Sequence, residues 1–162
     1  MSNVSQISDS RLPDQIACLM IPMDSATLLL PNEAVAEVVS DLRPEKLPDL
    51  PEWCLGEVEW RGLHIPVISY EKLSTGADVI PTNDSRLVVI NTTKDNPRLP
   101  FYALLSQHAP RLVRAFKDEL TMEDKEGEGI NKHHVIVNVE SAIIPDLEMM
   151  EEKLLATPQR TL

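Results

Sequence analysis

Residues 51–71, PEWCLGEVEWRGLHIPVISYE, read as two short strands joined at Arg61-Gly62. With those two residues as the loop, Trp60 faces Leu63, Val58 faces Ile65 and Gly56 faces Val67. Side chains alternate across a strand, so these pairs share one face, and that face is apolar. Glu59 and His64 meet on the opposite, polar face. A slip of one residue would invert both faces, so the register is well specified. Gly62 supplies the positive φ that a two-residue hairpin turn needs. Arg61 is left at the turn. It has two readings. One is a local ion pair with Glu57 or Glu59 on the polar face, worth ~0.5 kcal/mol. The other is an interface anchor, since Arg is enriched at binding hot spots. Trp60 reads as core because its face of the hairpin is apolar. Pro66 lies inside the second strand, and proline is tolerated mainly at sheet edges. That strand is therefore expected at an edge, offering side chains to a partner.

Outward from the hairpin, thirteen prolines and only two helical stretches point to an all-β protein. Ile16–Met23 and Ala26–Leu30 form a hairpin around Asp24-Ser25. Pro31 ends it, Asn32 caps one helical turn over Glu33–Ala36, and Glu37–Leu42 follows as a strand. Residues 43–52, RPEKLPDLPE, make a stiff, extended connection. Tyr70–Leu73 is a short helical turn and Gly76–Asp84 a loop. Arg86–Thr93, Leu99–Gln107, Arg111–Lys117 and His134–Val139 are strands, with one more at Ile143-Ile144. Glu119–Lys132, charged and with two glycines, reads as an exposed loop. Asp146 caps a C-terminal helix, Leu147–Leu155. Leu147, Met150 and Leu154 line one face of it, with Glu148, Glu151 and Glu152 largely on the other. About ten short strands divide naturally into two small barrels. The expected organisation is a domain over 15–156 between mobile tails at 1–14 and 157–162.

Composition narrows the function. The chain has 162 residues, 43% hydrophobic and 25% charged, as a globular domain should. Its net charge of −11 argues against nucleic acid, which needs clustered Lys and Arg, and against anionic membranes. Cys18 and Cys54 sit in apolar runs and read as reduced core residues. The polar N-terminus is no signal peptide, and the apolar run Ile16–Met23 is far too short to span a membrane, so a cytoplasmic protein is expected. No G-x-S-x-G elbow occurs, and five glycines leave little room for a phosphate loop. His133 and His134 would point to opposite faces of a strand, a poor chelate. The acids of Glu123–Glu128 lack the fixed ligand spacing of a calcium loop. His64 near Glu59, with Arg61, leaves a small-ligand protein as an alternative.

Val35-Ala36-Glu37-Val38, the proline-rich connector, Trp53–Gly56, Trp60-Arg61-Gly62 and Ile65-Pro66-Val67 come in a distinctive order and spacing. Over residues 16–73 they resemble the CheW-like domain of bacterial chemosensory adaptors. The resemblance implies two small five-stranded β-barrels packed together, with a short C-terminal helix. It implies a non-enzymatic adaptor without cofactor or metal. Its partners would be the regulatory domain of a CheA-type histidine kinase and the cytoplasmic tips of methyl-accepting chemoreceptors. By the same resemblance Val35, Gly56 and Arg61 help shape receptor contact, and Glu37 is a kinase-side contact. Trp60, Gly62 and Pro66 complete the expected interaction set. The second half departs from the family pattern. Phe101–Gln107 replaces the usual G-x-[LIV]-V-D strand, which puts contacts through the second half in question. LLLPN at 28–32, EWRG at 59–62 and IPDLE at 144–148 are most similar to the ChpC-like branch, which serves type IV pili and twitching motility. An accessory or competing adaptor that binds one partner alone is the alternative within the family.

Overall fold

The runs CLMI, LLL, LVVI and YALL are apolar at every position, so strands built from them must bury both faces. The computed structural model describes residues 15–116, 118 and 120–157, without the side chains of 123–128, and the two-sided burial is there. Strand β1 (Gln15–Pro22) sends Leu19 and Ile21 to one core and Cys18 and Met20 to another. Strand β2 (Thr27–Pro31) divides Leu28 and Leu30 from Leu29 in the same way.

The second half of the molecule repeats the device. Strands β3 (Val35–Val39), β4 (Cys54–Trp60), β5 (Leu63–Ile68), β6 (Arg86–Asn91) and β7 (Phe101–Ser106) form a sheet in the order β3-β6-β7-β5-β4. From β6 and β7, Leu87, Val89, Ala103 and Leu105 fill that sheet's own core, while Val88, Ile90, Tyr102 and Leu104 join the core that β1 and β2 also feed. Each sheet thus has an interior of its own, and a third apolar cluster lies between them. That arrangement is the pair of packed β bodies the sequence implies.

The first sheet has six strands rather than five among the described residues. Strands β8 (Arg111–Phe116), β9 (Leu120–Glu128), β10 (Asn131–Val137) and β11 (Glu140–Pro145) join β1 and β2 in the order β8-β1-β2-β11-β10-β9. The extra strand is β9, which occupies most of the segment expected to be a loop. It places Leu120 opposite Val137 and Met122 opposite Val135. An edge strand keeps one side in solvent and tolerates a run of charges that an inner strand would not.

Two other local expectations change. Asn32 caps nothing: Asn32–Ala34 is a 3-10 turn with Pro31 at its cap and no side-chain hydrogen bond there. The next strand accordingly starts at Val35 instead of Glu37.

Helix α1 (Tyr70–Thr75) and helix α2 (Leu147–Leu155) are the two α-helices among the described residues. Asp146 caps α2 as expected, accepting from the Met149 amide at 3.0 Å. Met150 and Leu154 are fully buried, and Leu147 packs beside them. Glu151, expected on the polar face, is buried as well. It lies four residues after Leu147 and three before Leu154, which is the same stripe of a helix. Its carboxylate accepts from the Thr93 amide (3.1 Å), the Thr93 hydroxyl (2.7 Å) and the Tyr102 hydroxyl (2.9 Å), tying α2 to the second sheet. Thr157, the first residue of the expected tail at 157–162, donates its amide to the Leu154 carbonyl at 3.0 Å. The rest of that tail, and residues 1–14, lie outside the described residues.

Candidate functional site at the β4–β5 turn

The hairpin register is the one the sequence dictates. Trp60 pairs with Leu63, Glu59 with His64, Val58 with Ile65 and Gly56 with Val67. Arg61 has φ 49° and Gly62 φ 78°. Positive values at both central residues define the turn type whose twist matches its strands. The turn leaves the Arg61 side chain 66% exposed.

Arg61 does not pair with Glu57 or Glu59. Its Nη2 donates to Glu37 Oε1 at 2.8 Å. The same oxygen accepts from Trp60 Nε1 at 3.3 Å. The guanidinium carbon lies 4.6 Å from the Trp60 ring centroid, and that ring meets Phe101 edge-on at 4.8 Å. Trp60 itself is buried, as expected. β3 and β4 are the two edges of their sheet, so one carboxylate on β3 links the sheet's edges while fixing the arginine. Sequence separation hides this pairing, since Glu37 and Arg61 are 24 residues apart.

Glu57 is buried because the connector covers it. Glu45 and Glu57 exchange two backbone hydrogen bonds, of 2.7 and 3.0 Å, which close the outer edge of β4. Gly56 makes that approach possible. It has φ 133°, and a Cβ there would stand 2.1 Å from the Glu45 carbonyl oxygen. Gly56 is buried and shapes the backbone beneath the connector. Pro66 is buried too, and β5 runs between β7 and β4, so it is not an edge strand. The proline is accommodated because pairing with β7 starts one residue later, with Val67 opposite Ala103. Val35 is half-buried against the shared core, at the head of the strand that carries Glu37. The structure therefore gathers Glu37, Trp60, Arg61 and Gly62 at one point and leaves Gly56 and Pro66 inside. Phe101 supports the tryptophan, a role that its strand pattern did not signal.

The family model for the CheW-like domain matches residues 17–152. The chain belongs to the CheW-like domain family. Among solved structures, this CheW-like domain is similar to the crystal structure of scaffolding protein TtCheW from Thermoanaerobacter tengcongensis. The TM-score is 0.69 at 18% identity, covering 80% of this chain and 88% of that one. At that identity the likeness shows the fold. No curated protein matches the sequence.

Membership places the chain in a family of non-enzymatic scaffolds and supports a chemosensory adaptor role. Among the described residues, no cluster of three or more His, Cys, Asp or Glu is arranged to hold a metal ion. Cys18 and Cys54 are free and buried, and burial pushes both thiols up, which keeps them protonated and unreactive. No described helix is long and apolar enough to cross a membrane.

Proposed function

We propose that this CheW-like domain is a cytoplasmic adaptor that couples chemoreceptor tips to the regulatory domain of a CheA-type histidine kinase. Its route is the ChpC-like one, toward type IV pili and twitching motility. Arg61 carries the reading. Its turn has backbone angles fixed by type, and its guanidinium is held by Glu37 and stacked on Trp60 while two-thirds of the side chain stays in solvent. A side chain ordered before binding loses less entropy on docking than a free one. Arg61 and Val35 face the receptor and Glu37 the kinase. Gly56 and Pro66 act from within by setting the shape of the hairpin. The ChpC-like assignment draws on LLLPN, EWRG and IPDLE at residues 28–32, 59–62 and 144–148.

The test is co-purification of R61E with receptor fragment and with isolated kinase regulatory domain, beside a melting curve. Weakened capture at an unchanged melting temperature supports the proposal. Full capture of both partners by R61E refutes it. The replacement of the family's Gly and Asp in Phe101–Gln107 favours a second reading, an accessory adaptor that engages one partner alone. Separate titrations with each partner decide between the two.

A further inference from the structure

We infer that the mouth of the second sheet is a binding site for a small organic anion, a carboxylate or phosphate ester carrying a compact apolar group. A cavity of about 430 Å³ opens where β3 ends at Val39 and β6 begins at Arg86, between the first residues of the connector and the loop over 81–85. That volume lies in the range that small-molecule sites occupy. Leu87 and Leu105, both buried in the second sheet's core, line it together with Leu42. Arg43 and Arg86 also line it.

Two guanidinium groups in one cavity stand out in a chain of net charge −11. Arg86 is pre-oriented. Its Nη1 donates to the carbonyls of Asn83 (3.1 Å) and Ser85 (2.9 Å). Among the described residues nothing accepts from its Nη2 or Nε. The loop that supplies those carbonyls is fixed in turn. The Thr82 amide donates to Ser85 Oγ at 2.9 Å, and the Asp84 amide to Thr82 Oγ1 at 3.2 Å. Arg43 is exposed. Asp41 is the one acid of the lining, and its carboxylate accepts from the Ser40 hydroxyl at 3.4 Å. The lining thus carries two guanidinium groups against one carboxylate. Planar guanidinium forks match carboxylate and phosphate oxygens two at a time, and the leucines below them suit an apolar group. The cavity shares no lining residue with the Glu37–Trp60–Arg61 cluster. Anion binding and partner binding can therefore fail separately.

The test follows backbone amide shifts of the full chain as phenyl phosphate, benzoate or inorganic phosphate is added at constant ionic strength. Saturable shifts confined to residues 39–43 and 82–87 are expected with phenyl phosphate or benzoate, and the tighter of the two fixes the anion class. Inorganic phosphate, with nothing to place on the leucines, should bind more weakly. R86Q and R43Q should each weaken binding about tenfold, the effect of losing one charge-assisted contact. R114Q, which removes an exposed arginine on β8, should change nothing. R43Q alters a solvent-facing residue, so it keeps the test valid if R86Q disturbs the loop. The inference is overturned by no saturable shift, by shifts centred elsewhere, by unchanged affinity in both variants, or by inorganic phosphate binding as tightly as the organic anions.

Discussion

Replacing Gly56 by alanine should destabilise the protein without touching its surface. The new Cβ would sit 2.1 Å from the Glu45 carbonyl oxygen and 2.7 Å from its carbon, both rigid backbone atoms. Either the connector or β4 must move. Moving the connector breaks the two Glu45–Glu57 backbone hydrogen bonds, at about 1 kcal/mol each. Keeping φ at 133° with a side chain present adds about 1–2 kcal/mol of backbone strain. The total is about 3–4 kcal/mol. At about 2–4 °C per kcal/mol for a chain of this size, the melting temperature should fall by about 6–16 °C. Gly62→Ala is the internal control. It also has positive φ, but nothing lies within 4 Å of its Cβ position, so only strain remains, about 1 kcal/mol. Differential scanning calorimetry on both variants reads the difference. Equal, small shifts for the two would show that the connector is not held against β4 and would refute the packing account of Gly56.

Other expectations are narrower. Arg61→Glu replaces an ion pair and a ring contact by two facing carboxylates, but at sites 66% and 40% exposed solvent screens the repulsion, so the melting temperature should change by less than about 3 °C while partner capture falls. A larger thermal loss would show that the turn is structural and not a docking element. Leu154→Ala empties a fully buried position under α2 and should cost about 2–5 kcal/mol in a denaturant titration. Burial, reinforced by Glu151, pushes the Tyr102 hydroxyl far above its ordinary value. The folded chain keeps that proton where the unfolded chain loses it. The stability Tyr102 contributes is therefore complete below about pH 10 and declines as pH rises beyond that. Tyr102→Phe should cost about 1–2 kcal/mol at neutral pH by removing a donor from Glu151, and should flatten part of the alkaline decline. The rest of that decline is shared by Tyr70, whose hydroxyl is also raised, mainly by burial, and by the buried Cys18 and Cys54 thiols.

The sequence exposes what is local and hides what joins distant edges. The β4–β5 register is legible because apolar and polar positions alternate on both sides of a turn that only one spacing satisfies. Helix α2 is legible because an aspartate precedes an apolar stripe of period 3.6. Its buried glutamate is not, because nothing in a helical pattern reveals that Thr93 and Tyr102 wait opposite. β9 is hidden by its charges, which edge position permits. The proline rule failed at Pro66 for a related reason. It assumes that a strand is paired along its whole length, whereas β5 meets β7 only from Val67 onward. The Glu37–Arg61 pair depends on two sheet edges coming together, and no window of sequence contains both.

The expected interaction residues thus fall into two physical kinds, and the division changes how a loss of binding should be interpreted. Glu37 and Arg61 keep partial exposure and meet through side-chain atoms, so their replacement alters what a partner encounters while the cores stay intact. Gly56 and Pro66 are buried, and their replacement reaches a partner only by deforming the hairpin. A binding defect from Gly56 must arrive with lost stability, and one from Arg61 without it. Trp60 spans the two kinds. Its ring packs in the core against Phe101, while its Nε1 and its face hold the Glu37 carboxylate and the Arg61 guanidinium in place. Trp60→Phe keeps most of the apolar volume and removes the indole donor. It should therefore loosen the arginine more than it loosens the fold, a separation that binding and melting measured on one sample can resolve.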